Sequence, residues 1–149
     1  MSFIFSNTSR ERLNTCDVYL IKVLTKAIEL SPIDFGIAQG ARTIDQQKRY
    51  FVEGKSKINP DNYSLDELPL KAKHIVTDDY PKSRAVDIYG YNSQGATWDV
   101  KHLSVVAGVI LAVDKMYDNR LRWGGNWDMD SDVAIDQQFQ DFPHFELIR

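Results

Sequence analysis

Residues 84–91 read RAVDIYGY, and this stretch decides the fold because it alternates with the two-residue period of a β-strand. Val86 and Ile88 fall on one face, while Asp87 and Tyr89 fall on the other. Asp87 is an acid among apolar neighbours, and an unpaired carboxylate is expensive to bury. The stretch therefore predicts a half-buried strand that presents one carboxylate to a partner, which is a metal ion, a helix N-terminus or an arginine.

The segments on either side of this strand mix helical and extended patterns without a regular βαβ order. Apolar spacing and capping residues predict helices and strands: helices over 17–30, 43–52 and 99–118, and strands over 34–38, 121–123 and 144–148. Residues 55–72 are polar and predict a long loop of the kind that carries functional sites. The mixture favours the α+β class, with a small antiparallel sheet packed against helices.

The composition is that of an ordinary globular protein. Its 149 residues, 43% of them apolar, fit one domain, so we expect a single domain over residues 1–149. The net charge of -3, from 18 basic and 21 acidic residues, argues against nucleic acid as the main partner. The single cysteine, Cys16, excludes an internal disulfide and a cysteine-based zinc finger, and we expect it to be buried.

Signals for export and for membrane insertion are missing from the sequence. The N-terminus lacks a basic segment followed by an apolar run. The longest uncharged, mostly apolar stretch, 103–113, has eleven residues, whereas a membrane span needs about twenty. We expect a monomer that is made in the cytoplasm and does not associate with membranes.

Three histidines, His74, His102 and His144, are the first candidates for chemistry. His74 precedes Asp87, and His144 opens the last predicted strand shortly after Asp141. Two histidines and one carboxylate with an open fourth position form a catalytic zinc set, and imidazole and carboxylate both suit zinc. Spacing alone also allows the alternative that the histidines are structural.

Five segments carry a resemblance to a known family. They are QGART (39–43), KH (73–74), AVDI (85–88), WGGNW (123–127) and DFPHFE (141–146). In this order they resemble the D-alanyl-D-alanine carboxypeptidase/hedgehog-like zinc peptidases, and most of all the phage endolysins that cut the L-alanyl-D-glutamate bond of peptidoglycan. The opening MSF and the segment ELSPIDF (29–35) are also similar to those endolysins. The resemblance implies the hedgehog/D,D-peptidase-like zinc peptidase fold.

The same resemblance implies roles for five residues. His74, Asp87 and His144 would ligate zinc. Asp141 would be the general base that takes a proton from the zinc-bound water and passes it to the leaving amine. Arg42 would bind a carboxylate of the substrate or the developing oxyanion. Some desolvation is needed to keep a carboxylate near zinc basic enough for this role.

The spacing between the first two ligands departs from the family pattern. The family usually has Ser-x-His-x-x-Gly-x-Ala-x-Asp, whereas thirteen positions separate His74 from Asp87 here, and Ala72 replaces the serine. The difference predicts an insertion of about six residues in a surface loop, where insertions are tolerated. Asp78 and Asp79, within that insertion, are alternative ligands.

Two further features near the last strand leave alternatives open. Glu146 lies two residues after His144 on the same strand face, and it is either an acceptor that holds the ligand histidine or a solvated charge at the strand end. Trp123 and Trp127 either line the cleft or belong to the core.

An acidic run precedes the last strand. Asp128, Asp130 and Asp132, with Asp136 beyond, resemble half of a calcium-binding loop. The run lacks the glycine of position six, and Phe139 stands where position twelve requires a glutamate. A calcium site and a solvated loop both remain as interpretations.

These observations predict a zinc endopeptidase that binds and cleaves peptidoglycan stem peptides during phage lysis. It would wait in the host cytoplasm until a membrane-permeabilising partner lets it reach the wall. The enzymatic alternative is a D,D-carboxypeptidase of the same fold that removes terminal D-alanine. Two other classes are a binding module that keeps the metal without hydrolysis and an α+β protein with incidental histidines. Asp141 argues against the binding module, because a non-catalytic domain needs no base beside its metal.

Overall fold

The structure is a computed structural model, and it describes residues 2–132 and 141–149. Within these ranges the helices are α1 (Asn7–Leu13), α2 (Val18–Leu30), α3 (Ile44–Val52), α4 (Leu68–Lys71) and α5 (Val100–Met116), with a 3-10 helix at Pro60–Asn62. The strands are β1 (Phe35–Gln39), β2 (Ala85–Asn92), β3 (Gly95–Thr97), β4 (Leu121–Trp123) and β5 (His144–Leu147). None of the described helices combines the length and the apolar character needed to cross a membrane.

Strand β2 lies at the centre of an antiparallel sheet whose strands differ in length. The strand order is β1-β2-β5-β4, and β3 pairs with the end of β2. In the β2–β5 pair Asp87 lies opposite His144, and in the β1–β2 pair Gln39 lies opposite Asp87. The predicted α+β class with a small antiparallel sheet is therefore confirmed, and its topology brings three distant segments to one position.

The core lies between one face of this sheet and the apolar faces of α2 and α5. Val86 and Ile88 of β2 are fully buried in it, together with Phe145 of β5. Cys16 is also fully buried, as expected. The alternation of β2 thus works as predicted: one face packs against the helices, and Asp87 on the other face is left for a polar site.

Helix starts follow the predicted caps. The Asp17 side chain accepts a hydrogen bond from the first turn of α2. Thr43 and Gln46 form a reciprocal capping box at the start of α3. Gly54, with a φ of 77°, follows the end of α3 in the left-handed conformation that favours glycine.

Four elements were not predicted. Helix α1 and strand β3 are absent from the sequence-based prediction, because α1 is largely polar and β3 has only three residues. The segment 55–72, predicted as a loop, contains the 3-10 helix and α4, and it buries Pro60 and Leu68. A polar composition concealed these two apolar anchors, which attach the segment to the protein.

The insertion between His74 and Asp87 forms a compact turn. Thr77 and Tyr80 exchange two backbone hydrogen bonds of 2.9 and 3.1 Å, and Asp78 and Asp79 are exposed at the tip. Beyond the turn, the buried Ser83 donates its backbone N–H to the Thr15 carbonyl at 3.0 Å. The insertion is therefore tied to the connection between α1 and α2.

Candidate active site

The site is centred on three side chains from three segments. His74 Nε2 lies 3.2 Å from both Asp87 Oδ1 and His144 Nδ1, and His144 Nδ1 lies 3.0 Å from Asp87 Oδ1. Within the described ranges this is the one group of histidine, cysteine or acidic residues whose three ligand atoms all lie within 4.8 Å of one another. The structure thus brings together the three residues proposed as ligands, and Asp87 has two imidazoles as partners.

Asp78 and Asp79 do not take part in this group. Both side chains are exposed at the tip of the turn, and neither belongs to the cluster. The thirteen-residue spacing leaves Asp87 in place because the insertion loops out before β2 begins.

Strand register and backbone hydrogen bonds position the three side chains. Asp87 and His144 are directly opposite in an antiparallel pair, so their side chains leave the same face of the sheet. The His74 segment runs beside Arg42, whose N–H donates to the His74 carbonyl at 2.7 Å. The N–H of Val76 then donates to the Arg42 carbonyl at 3.0 Å.

The hydrogen bonds of the outer ring nitrogens define which atoms face inward. His74 Nδ1 lies 2.8 Å from the Gly40 carbonyl oxygen, which can only accept, so Nδ1 carries the proton and Nε2 presents a lone pair. His144 Nε2 lies 3.0 Å from Glu146 Oε1 and by the same argument leaves its Nδ1 lone pair inward. Two lone pairs and a carboxylate oxygen then face one another, an arrangement that requires a cation.

The spacing of these atoms fits a tetrahedral divalent ion. Ligand atoms bound at about 2.0–2.1 Å to a tetrahedral ion lie about 3.3 Å apart. The separations among His74, Asp87 and His144 are 3.0–3.2 Å. The cluster therefore has the size and the donor set of a metal site to which the described residues supply three ligands.

A proton on His144 can take the place of the cation. Burial opposes the charge on His144, but the hydrogen bonds to Asp87 and Glu146 and the charges of both carboxylates raise its pKa to about 9. Burial likewise opposes the charge on Asp87, yet the two imidazoles hold the pKa of this carboxyl far below its usual value. Both shifts reflect the demand for positive charge at this position.

Glu146 is a buried acceptor and not a solvated charge. It is 8% exposed, and its Oε2 lies 3.2 Å from Lys73 Nζ and 2.9 Å from Arg122 Nη2. Burial opposes its ionisation, but the hydrogen bond and charge of His144, together with the two cations, lower the pKa of Glu146 to about 2. It is thus an ionised group that orients the His144 ring.

The cluster opens into a cleft of about 1240 Å³. The cleft is also lined by both residues that the resemblance assigned to catalysis, Arg42 and Asp141, and by Tyr50, Trp98 and Trp127. Trp127 lies with its ring centroid 5.3 Å from that of His144, whereas Trp123 is packed in the core. The two tryptophans therefore divide between the two alternatives.

Asp141 lies beside the cluster in the turn that leads into β5. Its N–H donates to the Gly124 carbonyl at 2.9 Å, and its carbonyl accepts from the His144 N–H at 3.1 Å. Burial, followed by the charge of Asp87, raises the pKa of the Asp141 carboxyl against the opposing effect of nearby cations. A general base beside a metal needs this kind of desolvation.

Arg42 faces the cleft and is held by neutral side chains. Its Nη1 donates to Gln47 Oε1 at 2.8 Å, its Nε donates to Gln39 Oε1 at 3.2 Å, and its guanidinium lies 4.7 Å from the Tyr50 ring centroid. Among the described residues it forms no salt bridge, so its charge is available to a ligand. Gln47 is fully buried and was not predicted from the sequence, although a glutamine on the apolar side of a helix is an available signal for a buried polar role.

The acidic run does not form a comparable group in the described part of the chain. Asp130 Oδ1 accepts a hydrogen bond from the Asp132 N–H at 2.8 Å, and Asp128, Asp130 and Asp132 do not bring three ligand atoms together. Asp136 and Phe139 lie outside the described residues. The calcium site therefore stays a prediction.

Comparison with known proteins adds three findings. Residues 1–148 match the family model described as phage L-alanyl-D-glutamate peptidase. The chain is 33% identical over 157 residues to an L-alanyl-D-glutamate peptidase of Escherichia phage T5, with 99% of this chain and 100% of that protein covered. The fold is also that of the crystal structure of the Serratia marcescens L-Ala D-Glu endopeptidase ChiX. The TM-score is 0.72 at 21% identity, with 97% of this chain and 90% of that chain covered.

Proposed function

The chain belongs to the family of phage L-alanyl-D-glutamate peptidases, and from this membership we propose that it is a zinc-dependent endolysin. It would hydrolyse the L-alanyl-D-glutamate bond of peptidoglycan stem peptides during phage lysis. The observation that carries the proposal is the convergence of His74, Asp87 and His144 beside Asp141 in one cleft. These first three residues would hold the ion, and residues 1–149 would form one catalytic domain.

The residues around the cluster divide the chemistry between them. A zinc ion held there would acidify a bound water and polarise the scissile carbonyl. Asp141 accepts a proton at its carboxylate and returns it to the leaving amine of D-glutamate. The Gly40 carbonyl and the Glu146 carboxylate keep the two imidazole rings oriented throughout.

The walls of the cleft suit an anionic substrate, although the chain as a whole is negatively charged. The cleft is lined by three acidic side chains, Asp87, Asp141 and Glu146. It is also lined by five basic side chains: Arg42, Lys55, Lys57, Lys71 and Lys73. Stem peptides carry free carboxylates, which a cleft with basic walls attracts. The planar guanidinium of Arg42 matches a carboxylate or the developing oxyanion.

Analysis of the cleavage products tests the bond assignment. Purified enzyme is incubated with isolated peptidoglycan, and the released fragments are identified by mass spectrometry. We expect new amino ends at D-glutamate. Free D-alanine as the sole product would instead support the D,D-carboxypeptidase.

Substitution of the proposed base tests the mechanism. Asp141→Asn removes the proton acceptor and should lower kcat by about 10²–10⁴-fold, the usual contribution of general base catalysis, while the metal content stays unchanged. Asp79→Asn, at the exposed tip of the turn, is the matched control and should behave as wild type. Equal turnover by Asp141→Asn and wild type would show that the base is another group.

Metal analysis separates this proposal from a protein with incidental histidines. Protein purified without chelator should contain about one zinc ion per chain, the stoichiometry of a site with three protein ligands. A chelator should abolish hydrolysis and added zinc should restore it. A bound ion without any hydrolysis would instead identify a binding module.

The proposal extends to how the enzyme is used. It would act as a monomer, accumulate in the host cytoplasm, and reach the wall only after a membrane-permeabilising partner acts. Expression in the bacterial cytoplasm should therefore be tolerated until such a partner is co-expressed, and culture turbidity should fall only then. Lysis by the enzyme alone would contradict this order of events.

A further inference from the structure

Three aromatic side chains, one half-buried and two exposed, form a surface beside the candidate active site. Tyr89 and Tyr91 lie on the same face of β2 as Asp87, and Trp98 follows β3. The ring centroids of Tyr89 and Trp98 are 5.8 Å apart, and those of Tyr89 and Tyr91 are 5.1 Å apart. The two tyrosine hydroxyls are hydrogen-bonded at 3.1 Å. We call Tyr89, Tyr91 and Trp98 the aromatic platform.

The exposure of this platform needs an explanation. Trp98 is 57% exposed and Tyr91 is 39% exposed, whereas Trp123 is buried in the core. Scattered apolar residues on a surface are ordinary, but a contiguous group marks a binding surface. Trp98 also lines the same cleft as His74, Asp87 and His144. The platform is therefore continuous with the candidate active site.

The strand pairing holds the platform in a fixed shape. Gly36 of β1 lies opposite Tyr89, and a Cβ at position 36 would lie 2.6 Å from the Tyr89 ring. The glycine thus leaves the space that the ring occupies. Thr97, next to Trp98, pairs with Gly90 of β2. A surface that is ordered before binding loses little conformational entropy when a ligand arrives.

The strand spacing between Asp87 and Tyr89 is comparable to the length of the substrate of the proposed function, on which this inference rests. In peptidoglycan the L-alanine nitrogen is joined to the lactyl group of N-acetylmuramic acid, which links it to the sugar ring. At about 3.3–3.6 Å per unit, the alanyl and lactyl units separate the sugar from the scissile carbonyl by about 7 Å. Side chains two positions apart on one strand face, such as Asp87 and Tyr89, are also about 7 Å apart.

We propose that the aromatic platform is a saccharide subsite, which binds the sugar to which the stem peptide is attached. The indole of Trp98 offers an electron-rich face to the C–H groups of a pyranose ring. The hydroxyls of Tyr89 and Tyr91 offer hydrogen bonds to the polar groups of the sugar. The enzyme accordingly prefers stem peptides that are still joined to the glycan over free peptides.

A pair of substrates tests this preference. The first is the disaccharide tripeptide, and the second is the lactyl tripeptide, which has the same amide bonds but no sugar. Wild type should have about a tenfold higher kcat/KM on the first, as expected for one aromatic contact in a fixed geometry. Trp98→Ala should bring the ratio of the two values close to one, and Trp98→Phe should retain most of the preference.

A matched control uses another exposed aromatic residue. Phe51 is 37% exposed on α3 and does not line the cleft, so Phe51→Ala should leave the ratio at its wild-type value. Equal kcat/KM on both substrates in wild type, or a preference that persists in Trp98→Ala, would overturn the saccharide subsite while leaving the proposed function in place. Hydrolysis of neither substrate would count against the proposed function.

Binding of the sugar without peptide decides the inference independently of hydrolysis. The disaccharide of N-acetylglucosamine and N-acetylmuramic acid is titrated into the protein, and tryptophan fluorescence is recorded. We expect a saturable change in wild type that is absent in Trp98→Phe. A change of equal size in both proteins would place the sugar elsewhere, and no change in wild type would remove the subsite.

Discussion

At the scale of single residues, the candidate active site depends on the hydrogen bonds made by the ring nitrogens of His74 and His144 that point away from the cluster. His74 and His144 each present one nitrogen to the cluster because the Gly40 carbonyl and Glu146 occupy the other nitrogen. Arg42 is held in the same way by neutral amides, which leave its charge unpaired within the described residues. These contacts determine which atom of each side chain faces the cleft.

Glu146→Gln tests the orienting contact. The amide oxygen still accepts from His144 Nε2, but the negative charge that strengthens the ligand is lost, so zinc affinity should fall about tenfold or more. Competition with a chromogenic chelator measures the affinity. Glu29→Gln, which removes an exposed carboxylate paired with Lys26, is the control and should leave affinity unchanged. Unchanged affinity in Glu146→Gln would show that its charge does not act through His144.

Arg42→Lys tests recognition of the substrate. A lysine keeps the charge but loses the planar pair of donors and the stacking on Tyr50. We expect kcat/KM to fall by about 10–100-fold, which corresponds to one charged hydrogen bond, with zinc content unaffected. Arg49→Lys, on the exposed side of α3, is the matched control. Wild-type kinetics in Arg42→Lys would mean that a simple positive charge is sufficient.

At the scale of elements, β5 shows how a strand joins the core to the site. Phe145 and Leu147 are buried on the core face, while His144 and Glu146 face the cluster. A slip of one residue in the β2–β5 register would exchange the two sets. Gly124 packs closely against the turn that precedes β5. A Cβ at position 124 would lie 2.0 Å from the Asp141 carbonyl oxygen, so only glycine fits there without a shift.

Gly124→Ala should therefore displace Asp141. The added methyl group meets backbone and not a flexible side chain, so the turn must move, and we expect a loss of about 1–3 kcal/mol in the free energy of unfolding together with a lower kcat. Gly108→Ala in α5 is the control, because its Cβ meets nothing within 4 Å and alanine is favoured in a helix. Denaturant unfolding and kinetics measure both effects. A Gly124→Ala variant with wild-type kcat would show that the turn does not position the base.

At the scale of the whole molecule, the fold collects charge where the site needs it. The chain has a net charge of -3, yet five basic side chains line the cleft. The sheet also carries two separate surfaces on its β2 strand: Val86 and Ile88 pack against the helices, and the opposite face bears the cluster and the aromatic platform. One face of β2 thus contributes to the core, and the opposite face carries the groups of the candidate site.

Stability should depend on pH differently with and without metal. The pKa of His144 is raised from 6.5 to about 9, so the metal-free folded state holds a proton that the unfolded chain has lost over this interval. That stabilisation is complete below pH 6.5 and disappears as the pH rises through 9. Zinc binds only neutral imidazole, so the stabilisation that zinc adds to the metal-free protein increases over the same pH interval.

Thermal unfolding with chelator and with excess zinc measures this difference. We expect Tm of the metal-free protein to fall between pH 6.5 and 9, and Tm of the zinc-bound protein not to follow it. A His144→Ala variant should lack the decrease in chelator. Parallel curves for the two forms of the wild-type protein would contradict the linkage between proton and metal.

The regular elements were predictable from the sequence because their signals are local. The alternation of β2, the Asp17 and Thr43 caps and the apolar spacing of α2 each lie within a short window, and the structure has these elements within a residue or two of the predicted bounds. The segments of the candidate site were identified by their order along the chain. Helix α1 escaped prediction because its polar sequence is held by a distant contact, in which Ser9 Oγ accepts from the Ile37 N–H at 3.0 Å.

The sequence by itself determined the α+β class, the family and the set of chemical groups, since periodicity, motif order and residue type are properties of the chain. Only the tertiary structure decided that Glu146 is buried against His144, that Arg42 is held by Gln39 and Gln47, and that Trp98 completes a platform beside the cleft. The physical reason is that burial and partnership arise between segments far apart in the sequence. A side chain is neither buried nor paired with a distant residue until the sheet has formed.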